Sequence, residues 1–337
     1  MAQSFAAVCV IAFGGAALNL MPVWLLELAN KTGLGSIGSG LLASLLLATA
    51  AATCVLPRSP GLPIATVLSA LVALVLALGA TASHPAPEAV LLGAICVGGA
   101  LGGQLSWALA TAPNDDDVLS RFASGTAIGA MIAFVLLFVN AIASISALVL
   151  LGCLAIVPFA ALSQTRSLAR AARQTHAGGA VLAWAEAPFF ISMGAYWAFL
   201  EIFATERGYG SLSVWLAWSL LASAAGAWVA GRLGCWASTG TTVALTLAAG
   251  GGGLTYLAPN TTVAGLAILV NAFGLFLFMP LYLGAGPATA RLSSYLAGFA
   301  LGGLSGGAVV AAAGYEGLAA TVAVSGAIAI FTTRPGS

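Results

Sequence analysis

The sequence predicts an all-α integral membrane protein with twelve transmembrane helices. Only 6% of its 337 residues are charged, and its mean hydropathy is +1.07. A soluble fold needs a charged surface of roughly a quarter of its residues, which ten basic and nine acidic side chains cannot supply. Twelve crossings leave about 28 residues each, enough for a spanning helix of about 20 residues and a short loop.

The predicted helices are numbered one to twelve along the chain. They cover 4–27, 37–56, 63–83, 87–110, 121–141, 143–163, 178–203, 211–231, 240–258, 263–284, 292–313 and 316–333. Turn signals mark most breaks, among them the glycines at 208 and 210, the pair Pro259 and Asn260, and the glycines at 314 and 317. The break near Asn140 is inferred from length alone, because the uncharged segment around it is too long for a single membrane-spanning helix.

The basic residues predict the orientation of the chain. With the N-terminus inside, eight of the ten are cytoplasmic: Arg58, Arg121, Arg166, Arg170, Arg173, Arg232, Arg291 and Arg334. Only Lys31 and Arg207 are then outside. Because Lys and Arg are enriched in cytoplasmic loops, both termini are expected inside. The alanine- and glycine-rich composition favours a bacterial inner (plasma) membrane.

The two halves of the sequence resemble each other at an offset of 170 to 174 residues. Trp24 matches Trp197, and Arg121 matches Arg291, each at the same helix ordinal of its half. The repeat predicts two pseudo-symmetric six-helix bundles over residues 1–163 and 178–337. A cytoplasmic linker over 164–177 joins them. Two such bundles with a site between them near the midplane are typical of secondary transporters.

The stretch from Ala227 to Gly234, between predicted helices eight and nine, carries a family resemblance. It is similar to the glycine/aspartate/arginine loop motif of the major facilitator superfamily, with Arg232 at its arginine. Ala227 stands at the first glycine, Gly231 at the acidic position and Cys235 at the trailing basic one. The resemblance implies a compact secondary transporter that moves a small solute by alternating access. It implies neither symport nor antiport.

Glu186 is the residue that we expect to couple transport to protons. Aligning Trp197 with Trp24 places it opposite Phe13, about ten residues into predicted helix seven and near the bilayer centre. An ionised carboxylate is costly there, so the protonated acid is favoured near physiological pH. Alternatively, the helix starts later and Glu186 lies at the cytoplasmic interface, bound to a cation such as Arg173.

Further side chains are expected along the substrate and proton pathway. Phe190, Met193, Trp197 and Glu201 share a face of predicted helix seven with Glu186 at 100° per residue. Asn19, Gln104 and Asn271 are amides inside apolar helices, and each needs a partner there. Such amides bind substrate or hydrogen-bond a neighbouring helix, and the sequence leaves both uses open.

Three charged residues are assigned to gates. Glu27 and Glu201 lie near the outer ends of predicted helices one and seven, where they would form an outer gate with Lys31 or Arg207. The alternative is that both acids are simply solvated. Arg232 of the loop motif is assigned to gating on the cytoplasmic side.

Two other function classes compete with transport. A membrane-embedded Mg²⁺-dependent enzyme would use the run Asp115-Asp116-Asp117, but consecutive helical residues point about 100° apart and cannot all reach one metal pair. We therefore expect a solvated loop there, no enzyme, no metal and no cofactor. A non-transporting assembly partner would lack a polar cavity. The expected partners are a small solute, protons and lipid, with no nucleic acid, and we expect a monomer.

Overall fold

The computed structural model describes residues 2–21, 35–55, 87–110, 112, 114–143, 186–209 and 212–333, and these form helices without a strand among them. The helices are α1 (Ala2–Asn19), α2 (Gly35–Val55), α3 (Pro87–Ala110), α4 (Asp115–Ala143), α5 (Ala187–Glu206), α6 (Ser213–Ala230), α7 (Ala237–Leu257), α8 (Thr261–Gly284) and α9 (Ala288–Thr332). A 3₁₀ turn, Gly234–Trp236, precedes α7. Five of these helices are long and apolar enough to cross a membrane.

The observed helices correspond to predicted ones in chain order. Helices α1 to α4 match predicted helices one, two, four and five, and α5 to α8 match seven to ten. Helix α9 covers predicted eleven and twelve as two arms that meet at Gly314, where the backbone leaves helical geometry with φ 65°. The left-handed φ suits glycine, because a side chain would clash there. Predicted helices three and six lie outside the described residues.

Local signals determine where α5 ends. Gly208 has φ 70°, and its N–H donates to the Thr205 carbonyl while that of Tyr209 donates to the Ala204 carbonyl. This pair of bonds is the Schellman motif, which satisfies the last carbonyls of a helix. The ring of Tyr209 packs on Phe203 at 5.7 Å between centroids, so the turn is also held by an apolar contact.

The aspartate run does not form the solvated loop expected from the sequence. Asp115, Asp116 and Asp117 form the first turn of α4. Asn114 precedes them, and its Oδ1 accepts a hydrogen bond from the Asp117 N–H at 2.8 Å. Because acidic side chains are favourable beside the positive end of the helix dipole, the run begins the helix.

The helices pack into two groups with an apolar exterior. In the first group α1 packs on α4 and α2 on α3; in the second, α5 packs on the first arm of α9, and α8 lies between α6 and α7. Large apolar side chains remain exposed on the outside, among them Phe138, Trp218 and Leu301. A surface of this kind suits a solvent of lipid tails.

The two groups meet along two seams. At the α2/α9 seam, Ser44 donates to the Ala300 carbonyl at 2.9 Å, and Ser293 donates to the Ala51 carbonyl at 2.9 Å. At the α4/α6 seam, a Cβ on Gly231 would lie 3.3 Å from the Ala123 side chain. The Ser293 and Gly231 contacts involve the starts of α9 and α4. We call the end of the molecule where α4 and α9 begin the lower end. The topology predicted from the sequence makes it the cytoplasmic end.

The cap of α8 gives a first prediction. The Oδ1 of Asn260 accepts the Val263 N–H at 3.0 Å, so Asn260→Ala leaves that amide unpaired. We expect the free energy of unfolding to fall by about 1 kcal/mol, read from thermal unfolding of the purified protein in detergent. Thr262→Ala, at an exposed site two residues on, is the control and should leave the transition unchanged. Equal transitions for Asn260→Ala and the parent would contradict the role of the cap.

Candidate functional site

A small cavity lies between the two helix groups. Its walls come from both groups: Asn19, Leu47 and Leu137 from the first, and Trp197, Ser219 and Tyr295 from the second, with other apolar residues. Its volume is about 60 Å³, which holds a few water molecules. The cavity is mainly apolar and aromatic, with the Asn19 amide and the Ser219 hydroxyl as polar groups.

Two of the predicted pathway residues line this cavity. Asn19 is the last residue of α1, and its Nδ2 donates to the Gly15 carbonyl at 2.8 Å. Trp197 lies in the middle of α5 and packs edge-on against Tyr196 at 5.4 Å. The structure thus brings one amide and one indole together from opposite groups.

Phe190 and Met193 lie elsewhere, although they share a helix face with Trp197. The Phe190 ring is fully buried between α8 and α9, with Tyr282 at 5.1 Å and Tyr295 at 5.4 Å. Met193 is fully buried against α8. Neither lines the cavity, because the first arm of α9 covers Phe190 and helices α7 and α8 cover Met193.

The other two amides are buried in helix packing. Asn271 of α8 donates from Nδ2 to the Ala248 carbonyl of α7 at 2.7 Å, and it lies 3.5 Å from the Met193 sulfur. It therefore joins helices, which is one of the two uses left open by the sequence. Gln104 is buried within α3. Neither amide lines the central cavity.

Glu186 lies at the start of α5, which corrects its expected depth. The helix begins at Ala187, so Glu186 is its N-cap and not a residue ten positions inside. It is nevertheless buried, and its Oε2 has no hydrogen-bond partner in the described structure. Arg291 is close enough for its charge to stabilise the ionised carboxylate. The later start of the helix agrees with the alternative given above. The cation named there, Arg173, lies outside the described residues, and Glu186 forms no ion pair with the described ones.

Arg291 itself is held by Tyr282. Its Nη1 donates to the Tyr282 carbonyl at 2.5 Å, and its Cζ lies 4.8 Å from the centre of the Tyr282 ring. Arg291 is two residues before Ser293, which bonds to Ala51 across the α2/α9 seam. The sequence marked Arg291 only through the repeat. Its contact with Tyr282 was missed because the two residues come from different helices.

The structure describes two of the four residues expected at the outer gate, Glu201 and Arg207, and these two do not pair with each other. Arg207 pairs with Glu316 of α9 at 2.7 Å, and both side chains are exposed. Glu201 is half-buried in the last turns of α5. Glu27 and Lys31 lie outside the described residues.

Arg232 stacks on its own helix at the lower end. Its Cζ lies 3.8 Å from the centre of the Trp228 ring, and its Nη1 donates to the Trp228 carbonyl at 3.1 Å. The side chain is exposed, and among the described residues its bonded and stacked partner is Trp228 of α6. Its gating role therefore stays a prediction.

A buried polar network inside the second helix group was missed by the sequence reasoning. Ser192 and Ser325 share a hydrogen bond at 2.6 Å, and Tyr196 and Thr255 share one at 3.2 Å. The Tyr256 hydroxyl donates to the Tyr196 carbonyl at 2.6 Å. The sequence signal for this network was the presence of serine, threonine and tyrosine hydroxyls inside apolar helices. Within the described ranges, no cluster of three His, Cys, Asp or Glu side chains could hold a metal ion.

Three solved transporters resemble this chain over nearly its whole length. The human organic anion transporter MFSD10 (TETRAN) has a TM-score of 0.64 at 17% identity, and a variant of the nucleoside transporter NupG has 0.64 at 14%; each likeness covers 98% of both chains. FucP, the E. coli fucose:proton symporter and a major facilitator superfamily transporter, has 0.64 at 17% in its outward conformation, over 99% of both chains. No protein-family model and no curated protein matches the sequence.

Proposed function

Since the chain has the fold of the major facilitator superfamily, we propose that it is a secondary transporter for a small solute. In this proposal the chain is a multi-pass membrane protein, with both termini on the cytoplasmic side of a bacterial inner membrane. Residues 1–163 and 178–337 form its two six-helix halves. The observation that carries the proposal is the central cavity, whose walls come from both helix groups within a fold shared with known transporters.

The size of the cavity supports alternating access. Its volume of about 60 Å³ is too small for a solute such as a sugar, so binding requires the helix groups to separate on one side. The lower end is held closed at both seams, by Ser293 on Ala51 and by the approach of Gly231 to Ala123. Opening the lower end must break these contacts, and we assign them to the cytoplasmic gate. A single chain contains the cavity, and we propose that the monomer is the working unit.

The chemistry of the cavity favours an uncharged solute with a flat apolar face. Trp197 and Tyr295 supply aromatic surface, and Asn19 and Ser219 supply hydrogen bonds. No charged side chain lines the cavity among the described residues. Because a charged solute would need a partner in so apolar a site, neutral ring-containing solutes are the class to test first.

The test begins with a solute panel scored by the thermal stability of the purified protein, because a ligand stabilises the state it binds. A stabilising solute is then followed into vesicles that contain the protein. Trp197→Ala should weaken its binding by about tenfold, since an aromatic wall is lost. Trp218→Ala, on an exposed face of α6, should change neither binding nor uptake.

Two results would contradict this proposal. One is equal loss of binding in both tryptophan variants. The other is a solute that stabilises the protein but never enters the vesicles, which would favour the non-transporting assembly partner.

Proton coupling through Glu186 is a second part of the proposal. The acid is buried, its Oε2 has no hydrogen-bond partner among the described residues, and the charge of Arg291 acts on it. Protonation would remove the negative charge that faces Arg291. Because Arg291 lies in the same turn as Ser293, a change in its position would reach the α2/α9 seam directly. The site would then link protonation to the closing of the lower end.

A further inference from the structure

An apolar groove runs along the outside of the α4/α6 seam. We call it the α4/α6 groove, and its walls include Ile128, Met131 and Val135 of α4 and Leu221, Ala225 and Trp228 of α6. Its volume is about 770 Å³, and its surface is almost wholly apolar. Val135 is 53% exposed and Trp228 is 55% exposed, so the described residues leave the groove uncovered.

The length of the groove matches one leaflet of a bilayer. On α4 its lining runs from Ala127 to Leu136, which at 1.5 Å per residue is about 14 Å. The hydrocarbon core of a bilayer is about 30 Å thick, so the length of the groove is about half of that thickness. An acyl chain of a phospholipid extends over a similar length in one leaflet.

A cation lies at the lower mouth of this groove. Trp228 lines the groove, and Arg232 stacks on its ring one helical turn further down. Arg232 is exposed, and only one of its five N–H donors is used, on the Trp228 carbonyl. In the described ranges no carboxylate pairs with it, neither Asp116 nor Asp117 at the start of α4. Trp and Arg at this level are typical of the membrane interface.

We propose that the α4/α6 groove binds an anionic glycerophospholipid, with one acyl chain between α4 and α6 and the phosphate on Arg232. The apolar walls match the chain, and the free donors of Arg232 match the negative headgroup. The proposal requires that the chain lies in a bilayer but does not depend on transport. Since the groove lies on a seam between the two helix groups, a bound lipid also contacts both groups at once.

The other seam supplies a matched comparison. The α2/α9 groove has a volume of about 420 Å³ and is lined by Ala52 and Leu301 among other mainly apolar residues. Ser293 also lines this groove. Arg291 lies in the same helical turn, but it is half-buried and donates to the Tyr282 carbonyl. This groove therefore offers an acyl chain a surface without a free cation at its mouth, as far as the described residues show.

The test is native mass spectrometry of the full chain in detergent, titrated with phosphatidylglycerol or with phosphatidylcholine of the same acyl chains. The parent protein should bind phosphatidylglycerol more tightly. Arg232→Gln should weaken phosphatidylglycerol by about tenfold, because the charge-assisted bond is lost, and should weaken phosphatidylcholine less, because its choline already neutralises the phosphate. Ala225→Phe fills the α4/α6 groove at an exposed position and should weaken both lipids.

Ala52→Phe, an exposed position in the α2/α9 groove, is the control and should leave phosphatidylglycerol binding as in the parent. Gel filtration shows whether each variant stays folded, and the exposed Arg232→Gln gives a result even where Ala225→Phe does not fold. Equal phosphatidylglycerol affinity in Arg232→Gln and the parent would overturn the headgroup site. Equal losses in Ala225→Phe and Ala52→Phe would overturn the choice of groove.

Discussion

Replacing Gly302 by alanine is expected to destabilise the second helix group by about 3 kcal/mol. A Cβ at this position would collide with the Ile191 carbonyl oxygen and would lie 2.6 Å from the Ala195 nitrogen. Both are backbone atoms of α5, so no side chain can rotate away to make room. The two helices would have to move apart, and the apolar contacts between them would be lost.

The control for Gly302→Ala is Gly250→Ala in α7. A Cβ on Gly250 meets nothing within 4 Å, and alanine is the better helix former, so this variant should be as stable as the parent or slightly more so. Thermal unfolding of both variants in detergent measures the difference. A Gly302→Ala protein with the parent's transition would show that α5 and α9 do not pack as closely as the structure has them.

Helix ends were predictable because their causes are local. Asn260 caps α8, Gly208 ends α5 and Gly314 breaks α9, each through backbone geometry set by a few neighbouring residues. The aspartate run before α4 was predicted wrongly, although Asn114 gave a local signal for a cap. Three adjacent charges were assigned to a solvated loop, whereas they begin a helix whose dipole they complement.

The depth of Glu186 could not be predicted, because it depended on one aligned pair of tryptophans. The helices around them consist of interchangeable small apolar residues, which fix no register. The packing suggests another alignment of the two halves. In the first half, a Cβ on Gly129 of α4 would lie 2.5 Å from the Ala12 carbonyl oxygen of α1. In the second half, a Cβ on Gly302 of α9 would collide with the Ile191 carbonyl oxygen of α5.

Matching α1 to α5 by these contacts places Glu186 opposite Ala7 rather than Phe13. That position is six residues closer to the start of the helix, in keeping with its place at the N-cap. The predicted pathway residues of α5 do not all reach the cavity, and this too could not be predicted from helix periodicity. Helical periodicity shows which residues share a face. Only packing shows that α9 covers Phe190 and that α7 and α8 cover Met193, while Trp197 stays at the cavity.

Replacing Glu186 by glutamine should abolish uptake driven by a pH gradient while exchange of solute across the membrane continues. Glutamine has the shape of the protonated acid but cannot release a proton, so a coupled step can no longer use the gradient. Exchange needs only movement of the loaded carrier, and Arg291 keeps its bond to the Tyr282 carbonyl in this variant. Vesicles that contain the protein and a solute found in the binding panel allow both measurements.

Glu316→Gln is the matched control, because this carboxylate is exposed and pairs with Arg207 at the opposite end of the molecule. We expect its pH profile to follow that of the parent. If Glu186 only supported the fold, its glutamine variant would lose uptake and exchange together and would unfold at a lower temperature. Unchanged pH dependence in Glu186→Gln would remove this acid from the coupling step and leave the carrier proposal to depend on the cavity alone.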